Sequence, residues 1–542
     1  MIALLSGLIA GISLLCLVPP ISRDALIHHL KVPQLYVERG GLYEIPSMVF
    51  SYNPMNLDLL YIIPLYFGND ILPKFIHFTF GLLTAWLIFI YLRSKCGYLY
   101  GLLGALLFLS VPIIVKLSIT VYVDLGLIFF TTASLLLFLR WIENDFQFKY
   151  LISSAIFCGL ALGTKYNGLI PFFILTAFAP FVYSRLNSEH PGFIRSMAQG
   201  VVFCIVALLI YSPWGIRNYF WKGNPIYPLY QDLFVKESIE DSTNTPVGVS
   251  PVAHRRLIYG ESVWQVLLLP VRVFFQGEDS IPQFFDGKMN PYLLILPFFA
   301  FISIHRETKI FQGQKKILLF FAVLVFFFSS FSAILRIRYI SPIIPPLTIL
   351  SVLGVRNIVE WIGHQTRPNE RAVGWGFLTL FLMVFLGFNA RYVYGQFQYV
   401  RPFEYLTGRV SRDEYITRYR PEYPVMQYVN ENLPADSLLL FVFIGNRGYY
   451  CKRPYVFDME GFRSKLTSIT MALNSPKEIA IELERLGITH LLVRFDSMIQ
   501  WISQQLSPGK QELFKAFISQ HTTLLFSNDQ YGVARIRSKK EK

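Results

Sequence analysis

The chain has 542 residues, of which 53% are hydrophobic and only 15% are charged, whereas a soluble domain carries about 25% charged residues. This composition excludes an ordinary soluble protein and predicts an α-helical polytopic membrane protein. The formal net charge of +14 is typical of a membrane protein with Lys and Arg in its cytoplasmic loops. No nucleic-acid-binding motif is present, so membrane lipids rather than nucleic acids are the expected surroundings. The five cysteines indicate no disulfide framework.

Apolar stretches of about 20 residues, the length that a helix needs to cross a bilayer, recur along the chain. They predict about eleven transmembrane helices, near residues 2–19, 73–92, 98–116, 122–142, 149–165, 167–184, 198–214, 290–304, 316–334, 339–355 and 373–392. Residues 1–20 lack a basic start and a small-residue cleavage site. They therefore predict a retained first span rather than a signal peptide.

The short loops on one side of these spans hold most of the lysines and arginines, which the positive-inside rule assigns to the cytoplasm. We therefore predict a multi-pass protein of the inner cell membrane with a cytoplasmic N-terminus. The loops at 20–72, 117–123 and 213–289, and everything after 393, are then outside.

Two segments of the outer loops suit the membrane surface rather than its interior. The first is LIHHLKVPQLYVERGGLY, an amphipathic stretch that suits the headgroup plane. The second is WQVLLLPVRVFF, which a proline interrupts. Both predict interfacial helices.

The sequence becomes polar and mixed near residue 401, which predicts a transmembrane domain at 1–395 and an extracytoplasmic α/β domain at 401–542. Ser475 and Glu478 form a capping box with a proline at the first helical position, and Gly487 closes that helix. The stretches DSLLLFVFI and ITHLLVRF predict strands. The stretch TTLLFSNDQYGVARIR predicts a hairpin that turns at Asn528-Asp529.

Three acids at the outer side are candidates for chemistry. Asp24 follows the first span directly and could accept a proton from a substrate hydroxyl, although a charge at a helix start is the more common role. Asp124 begins a span, where an acid is rare and tends to be functional but can also be a helix cap. Asp58, in NPMNLDLLYIIP, is more simply explained as a half-exposed loop acid.

Four cations on the outer side run against the positive-inside rule. They are Lys165 in GLALGTKYNGLIPF, Arg217 in YSPWGIRNYFWKGNPIYP, and Arg336 and Arg338 in ILRIRYISPIIPP. Snorkelling to lipid headgroups explains one or two of them. A cluster of cations that faces acids at the same depth favours instead an anionic lipid-phosphate ligand.

Two adjacent histidines, His28 and His29, lie shortly after Asp24. If residues 22–30 are helical, Asp24 and His28 share a face at a spacing of four. Neighbouring histidines on a helix point in different directions, so a shared metal ion is not expected. No zinc, nucleotide or dinucleotide motif is present. No cofactor is therefore predicted, and a divalent metal ion is left open without support.

Several short motifs resemble one known family. Asp24-Ala25-Leu26-Ile27-His28-His29-Leu30 resembles the D-x-L-x-Y-H-L opening of bacterial GT-C glycosyltransferases, and most closely the branch related to lipopolysaccharide galacturonosyltransferases and protein O-mannosyltransferases. The other motifs match in order and place: Gly163-Thr164-Lys165-Tyr166, Pro213-Trp214 with Arg217-Asn218, Gly223-Asn224-Pro225 with Tyr227-Pro228, and Arg338-Tyr339 with Pro342. Each motif is short, and their shared order makes the resemblance specific.

The resemblance implies a glycosyltransferase that takes a sugar from a polyprenyl-phosphate donor outside the membrane. A lipopolysaccharide or other lipid, a glycan or a protein would accept the sugar, most simply with inversion. By position, Asp24 is the base and Asp124 shapes the acceptor site, while His28, His29 and Asp58 orient the base and the acceptor. The residues matched to the donor-phosphate region are Lys165, Arg217, Arg336 and Arg338.

Two departures from the family pattern concern the first loop. Many relatives have paired acids there, but Asp24 is followed by Ala25, which weakens any metal proposal. His28 replaces the usual tyrosine and becomes an orienting partner for Asp24.

Two other functions stay open. A transporter or lipid flippase would need ionisable residues deep in the spans or broken half-helices, whereas the ionisable residues here are predicted at span ends. The other alternative is a non-catalytic scaffold that presents the C-terminal domain. Large loops rich in aromatic and basic residues argue mildly against it.

Overall fold

The structure, a computed structural model, describes residues 1–187, 189, 191–234, 250–302, 307–330, 335–365, 367–460 and 463–537. The chain forms two compact units. The first, here called the membrane unit, contains Met1–Leu17, Tyr52–Ile63 and Ile71–Pro402. The second, here called the C-terminal unit, contains Val18–Ser51, Pro64–Asp70 and Phe403–Lys542. Two segments of the predicted first outer loop thus belong to the same unit as the tail.

Long apolar helices make up the membrane unit, as the composition predicts. Seven helices in the described part of the chain are long and apolar enough to cross a membrane. They are Leu72–Cys96, Asp124–Glu143, Tyr166–Leu186, Phe193–Lys222, Lys309–Ser329, Ile337–Gly363 and Pro368–Val400. The helical polytopic fold class is therefore confirmed.

The remaining predicted spans correspond to shorter or broken helices. Ile2–Cys16 and Phe148–Leu162 are apolar but shorter, and the 290–304 stretch forms Tyr292–Phe299. Tyr98–Ser110 and Pro112–Ser118 make an eighth span if they count as one, with a bend of 69° between them. Pro112 cannot donate the next hydrogen bond of the ladder, which explains the break. Residues 303–304 and 331–334 of two predicted spans lie outside the described residues.

The Asp124–Glu143 helix lies in the interior of the membrane unit, because 78% of its apolar 18-residue stretch is buried. Ser134 on this helix and Ser154 on Phe148–Leu162 exchange hydrogen bonds with each other's carbonyls at 2.8 and 2.7 Å. On the far side of Phe148–Leu162, Gly159 has no room for a side chain, because a Cβ there would lie 2.5 Å from the carbonyl of Ala207. Small residues thus allow the close helix contacts that membrane proteins use.

Short helices fill the segment between two of the spans, at Gln231–Phe234, Pro251–Ile258, Val263–Leu267, Leu269–Phe275 and Pro282–Phe284. The stretch WQVLLLPVRVFF forms two of these helices, which confirms that it is helical and broken near its proline. Its place in the membrane interface stays a prediction. Residues 235–249 of this loop lie outside the described residues.

Helices and one mixed sheet form the C-terminal unit. The helices are Ala25–His29, Lys31–Arg39, Pro402–Leu406, Arg412–Tyr419, Tyr423–Asn432, Lys465–Ala472, Pro476–Arg485, Phe495–Gln505 and Pro508–His521. Val49–Tyr52 is a 3-10 turn and Asn56–Tyr66 a helix, and both cross between the two units. Within the described residues, five strands form the sheet in the order Tyr455–Phe457, Leu439–Val442, His490–Arg494, Tyr531–Ile536 and Thr522–Ser527. Met459–Glu460 and Arg463–Ser464 pair separately.

The sheet is parallel on one side and antiparallel on the other. Leu439–Val442 pairs in parallel with both of its neighbours, and all four of its residues are buried. Leu440 and Val442 belong to one core cluster, and Leu439 and Phe441 to another. Both faces of this strand are therefore covered, as parallel strands require.

The local predictions for the tail are confirmed. Ser475 and Glu478 form the capping box of Pro476–Arg485, and Gly487 has the left-handed φ of +75° that follows a helix end. The two predicted strands and the hairpin are present, and the hairpin turns at residues 528–530.

Candidate active site

A buried ion pair lies inside the membrane unit. Asp124 is the first residue of the Asp124–Glu143 helix and is fully buried. Lys165 stands in the turn after Phe148–Leu162, and its Nζ lies 2.6 Å from Oδ1 of Asp124. Among the described residues, Oδ2 of Asp124 has no hydrogen-bond partner. Since the Lys165 side chain is 20% exposed, its ammonium can still reach a ligand from the open side.

A second cation lies beside this pair. The guanidinium of Arg338 lies 5.1 Å from the ring centre of Tyr122 and 5.3 Å from that of Tyr339. Lys165 Nζ also lies 5.3 Å from the Tyr339 ring. The two cations therefore share one aromatic ring, which stabilises them without neutralising them. Asp124, Lys165 and Arg338 thus form one charged cluster beside the Tyr339 ring.

His77 connects the two segments that precede and begin the Asp124 helix. Its Nδ1 lies 2.9 Å from the carbonyl of Thr120, and its Nε2 accepts the N–H of Leu125 at 2.9 Å. Only an imidazole with its proton on Nδ1 makes both bonds. The ring also satisfies a backbone donor that a helix start leaves unpaired. His77 thus fixes the first turn in which Asp124 stands.

Asp58 lies in the first turn of the Asn56–Tyr66 helix and is only 3% exposed. The expectation of a half-exposed loop acid is therefore wrong, because the segment is helical and its first turn buries Asp58. Tyr61 of the same helix donates a hydrogen bond to the carbonyl of Tyr122. Asn56 at its start accepts the indole N–H of Trp214 at 2.8 Å. The Tyr61 bond connects the helix to the segment just before Asp124, and the Asn56 bond connects it to the Phe193–Lys222 helix.

Arg217, near the end of the Phe193–Lys222 helix, contacts backbone carbonyls. Its Nη2 donates to the carbonyls of Tyr52 and Asn53 at 2.6 and 3.1 Å. Its guanidinium lies 4.6 Å from the Trp214 ring and 5.0 Å from the Trp221 ring. This arrangement holds the 52–53 turn, so the role of Arg217 in phosphate binding stays a prediction.

Arg336 takes part in a different charge network. Its Nη1 lies 3.6 Å from Oδ2 of Asp286. Lys116 lies 3.1 Å from Oδ1 of Asp286 and 3.2 Å from Oδ1 of Asp279, and the hydroxyl of Tyr392 donates to Asp279 Oδ2 at 2.6 Å. Two acids therefore face two cations here.

Asp24 lies in the C-terminal unit, at the N-cap of the short π-helix Ala25–His29. It is half-buried, and its side chain makes no capping hydrogen bond to the described helix. Asp24 does stand at a helix start, as its simpler explanation predicts, so its role as a base stays a prediction. π-Turns of this kind occur often at functional sites.

His28 and His29 lie side by side in the same π-helix. Their ring centres are 4.0 Å apart, and the ring planes are tilted by 45°. The His28 ring also stacks on Phe50 at 4.6 Å. Among the described residues, no group of three or more His, Cys, Asp or Glu side chains could hold a metal ion.

The structure thus brings together only some of the predicted residues. Asp124, Lys165 and Arg338 form one cluster, Arg336 contacts Asp286, and Arg217 holds the backbone. Sequence reasoning missed His77 and Tyr61, and it named Tyr339 only as part of the Arg338-Tyr339 motif. For His77 the available signal was an imidazole inside the apolar stretch LPKFIHFTF.

Three comparisons relate the chain to known proteins. A family model described as dolichyl-phosphate-mannose-protein mannosyltransferase matches residues 65–216. ArnT from Cupriavidus metallidurans, solved with undecaprenyl phosphate, is 14% identical with a TM-score of 0.59 over 99% of this chain and 98% of that chain. The oligosaccharyltransferase AglB from Archaeoglobus fulgidus, solved with an inhibitory peptide and a dolichol-phosphate, is 13% identical with a TM-score of 0.52 over 99% of this chain and 74% of that chain. No significant match is found among curated protein sequences.

The order of the motifs, the family match and both structural likenesses point to the same fold. At 14% identity or less the structural likenesses concern the fold rather than the substrate. This chain has the fold of the GT-C glycosyltransferase superfamily.

Proposed function

We propose that this protein is an integral-membrane glycosyltransferase. It moves a sugar from a polyprenyl-phosphate donor to an acceptor that is a lipid such as lipopolysaccharide, a glycan or a protein. The observation that carries the proposal is the cluster of Lys165 and Arg338 around one buried carboxylate, Asp124, at the start of an apolar helix. Two cations at the start of an apolar helix suit a lipid-borne phosphate.

The likeness to solved structures supports the same ligand class. The neighbours ArnT and AglB were solved with undecaprenyl phosphate and with a dolichol-phosphate, respectively. The anion shared by both is a phosphate on a polyprenyl chain. Lys165 and Arg338 are the residues of this chain that we assign to that phosphate.

The proposed reaction is one displacement at the anomeric carbon. The acceptor oxygen forms the new bond to that carbon while the bond to the phosphate oxygen breaks, and the configuration inverts. Asp24 accepts the proton of the acceptor hydroxyl. The leaving polyprenyl phosphate keeps the bonding electron pair as an anion, so it needs cations rather than a proton donor.

The other predicted residues have supporting roles in this proposal. Asp124 orients Lys165 and borders the acceptor site, and Asp58 lies buried in the helix that Tyr61 fastens to the Asp124 segment. His28 and His29 orient Asp24. Arg217 keeps the 52–53 turn in place, and Arg336 adds a more distant positive charge. The reaction requires no metal ion for its atom balance.

One observation favours a second candidate, a lipid flippase or transporter. The 69° bend between Tyr98–Ser110 and Pro112–Ser118 is the kind of broken helix that transporters use. A flippase would move the polyprenyl-phosphate sugar across a bilayer without breaking its anomeric bond.

One experiment separates the two candidates. Purified protein is mixed with a panel of radiolabelled polyprenyl-phosphate sugars and candidate acceptors, and release of polyprenyl phosphate is measured. A glycosyltransferase releases it, and Asp24→Asn and Lys165→Ala reduce the release. Lys149→Ala, which removes an exposed lysine at the other end of the Phe148–Leu162 region, is the matched control and keeps normal release.

A second measurement covers the opposite outcome. The same protein in vesicles is tested for movement of an intact labelled donor between leaflets. Movement without any release by the whole panel contradicts the proposed function and selects the flippase.

A further inference from the structure

A tight turn of the C-terminal unit contacts the segment that contains Asp24. The turn comprises Gly448, Tyr449, Tyr450 and Cys451, and is here called the tyrosine turn. The N–H of Cys451 donates to the carbonyl of Gly448 at 3.1 Å, which closes the turn. It follows the buried strand Leu439–Val442, the second of the five strands in the sheet.

Three hydrogen bonds join the tyrosine turn to the Asp24 segment. The hydroxyl of Tyr450 donates to the carbonyl of Pro20 at 2.7 Å. The backbone N–H of Tyr449 donates to the carbonyl of Leu26 at 3.2 Å. The ammonium of Lys31 donates to the carbonyl of Cys451 at 3.2 Å. These contacts fall on both sides of Asp24 along the chain.

The contacts are well shielded from water. Lys31 is only 4% exposed and Cys451 is fully buried. Burial lowers the pKa of Lys31, although the charge of Glu38 offsets part of that effect. A buried ammonium without a partner is strongly unfavourable, so its bond to the carbonyl of Cys451 resists separation of the two segments.

A second connection supports the turn from its other side. The Tyr449 hydroxyl donates to Oδ2 of Asp70 at 3.3 Å, and the same oxygen pairs with Arg412. The Tyr450 ring packs against Tyr423 with the ring centres 5.0 Å apart. The tyrosine turn is therefore fastened to the body of the C-terminal unit.

The Asp24 segment needs such outside support. The π-helix Ala25–His29 has only five residues, and helices this short are not stable by themselves in water. Its position must therefore come from tertiary contacts. A catalytic group that shifts by about 1 Å can lose about 10²-fold in rate.

We propose that the tyrosine turn is a positioning element for the Asp24 helix, with Tyr450 and Lys31 as its positioning residues. The proposal rests on the proposed function, since it gives Asp24 the role of base. It assigns the C-terminal unit a direct part in transfer.

The first test uses transfer kinetics on the full-length protein. Tyr450→Phe removes the hydroxyl bond to Pro20 but keeps the ring contacts, so we expect kcat to fall about tenfold while the KM for the donor stays within twofold. Tyr428→Phe is the matched control, because the Tyr428 ring also stacks within the same unit, on Phe526. The control keeps normal kcat. A Tyr450→Phe enzyme with normal kcat overturns the proposal.

The second test does not depend on activity. Cys451 is a buried reporter, and its labelling by a maleimide is followed in a background where Cys96 and Cys204 are replaced by serine. Lys31→Met keeps the length of the side chain but loses the bond to the Cys451 carbonyl. We expect labelling to become roughly tenfold faster, the ratio that corresponds to the loss of one hydrogen bond of a charged group. Unchanged labelling of Cys451 in Lys31→Met overturns the proposal that the tyrosine turn is a positioning element.

The two tests distinguish the two proposals. If the wild-type enzyme releases no polyprenyl phosphate, the proposed function fails. Faster labelling of Cys451 in Lys31→Met still shows that the tyrosine turn holds the Asp24 segment. If release is normal and both Tyr450→Phe and Lys31→Met behave as wild type, only the positioning role of the tyrosine turn is contradicted.

Discussion

At the scale of single residues, the proposed reaction gives different roles to the acids and cations of the two units. Asp124 is fully buried and paired with Lys165 at 2.6 Å, so its charge is already engaged. Asp24 is half-buried and does not cap its helix. We assign proton acceptance to Asp24 because of its place directly after the first span and its match to the family motif.

Asp24→Asn tests this assignment directly. Asparagine keeps the size and the hydrogen-bonding reach of the side chain but cannot take a proton from the acceptor. A positioned base contributes roughly 10²–10⁴-fold in rate, so turnover should fall by that factor while donor binding stays normal. Transfer rate and donor affinity are measured on the same preparation. Near-normal transfer would move the base to Asp124 or Asp58.

Lys165→Ala tests the phosphate assignment. Loss of a charge-assisted hydrogen bond should weaken donor affinity by about 1.5–3 kcal/mol, measured by titration of the purified protein with polyprenyl phosphate. The variant also leaves the Asp124 carboxylate buried without its cation, which destabilises by about 3–5 kcal/mol. The melting temperature is therefore recorded alongside, and Lys165→Ala combined with Asp124→Asn should recover part of the lost stability. Unchanged donor affinity would assign Lys165 to Asp124 alone.

At the scale of secondary-structure elements, helix packing positions the candidate active site. The Asp124–Glu143 helix is joined to Phe148–Leu162 by Ser134 and Ser154, and the latter helix touches the Ala207 backbone at Gly159. These contacts set the spacing of the helices on which Asp124 and the Lys165 turn depend.

Gly159→Ala should push two helices apart, because its Cβ would lie 2.5 Å from the carbonyl of Ala207. Overpacking costs about 1–3 kcal/mol, so the melting temperature in detergent should fall. Gly387→Ala, at a helical glycine with nothing within 4 Å, should be neutral or slightly stabilising. Equal melting temperatures for the two variants would contradict the close contact.

A buried charge network holds the short helices at 251–275 together. Glu261 accepts hydrogen bonds from Arg255 at 2.6 and 2.8 Å and from Arg272 at 3.0 Å. Burial by itself would raise the pKa of the Glu261 carboxyl, but the bonds and charges of the two arginines lower it below its ordinary value of 4.5. The network connects Pro251–Ile258 to Leu269–Phe275.

Glu261→Gln should therefore destabilise the protein at pH 7 and have less effect in acid. A carboxyl with a lowered pKa in the folded state stabilises fully above its unfolded pKa, and this stability disappears as pH falls through the folded value. The difference in melting temperature between wild type and variant should shrink as pH falls below 4.5. The exposed Glu512→Gln is the control. A pH-independent difference would point to packing rather than charge.

The membrane orientation belongs to the scale of the whole molecule. Lysines and arginines cluster in one set of loops, so labelling of single cysteines should separate the two sides. In a cysteine-free background, Ser519→Cys should react from outside, and Asn187→Cys and Gln312→Cys only after permeabilisation. Gln312 is chosen because it is exposed, whereas the nearby Gln314 is buried and hydrogen-bonded to Leu139 and Tyr91. Outside labelling at residue 312 would overturn the orientation.

Composition and local pattern determined the class of this protein and many of its elements. Apolar stretches of span length predict helices because a bilayer leaves no other partner for backbone groups, and the capping box at Ser475 is a local hydrogen-bond pattern. The order of short motifs was enough to indicate the GT-C fold. These features depend on neighbours along the chain, so a sequence contains them.

Only the tertiary structure decided which charges meet. Asp124 and Lys165 are 41 residues apart in sequence, and Arg217 reaches carbonyls 164 and 165 residues away. The tyrosine turn contacts Pro20 across 430 residues, which placed part of the first loop in the C-terminal unit. Asp58 looked like a loop acid until its segment folded into a buried helix. Residue type and spacing do not encode such contacts, because they arise when distant helices pack and bring their side chains to the same place.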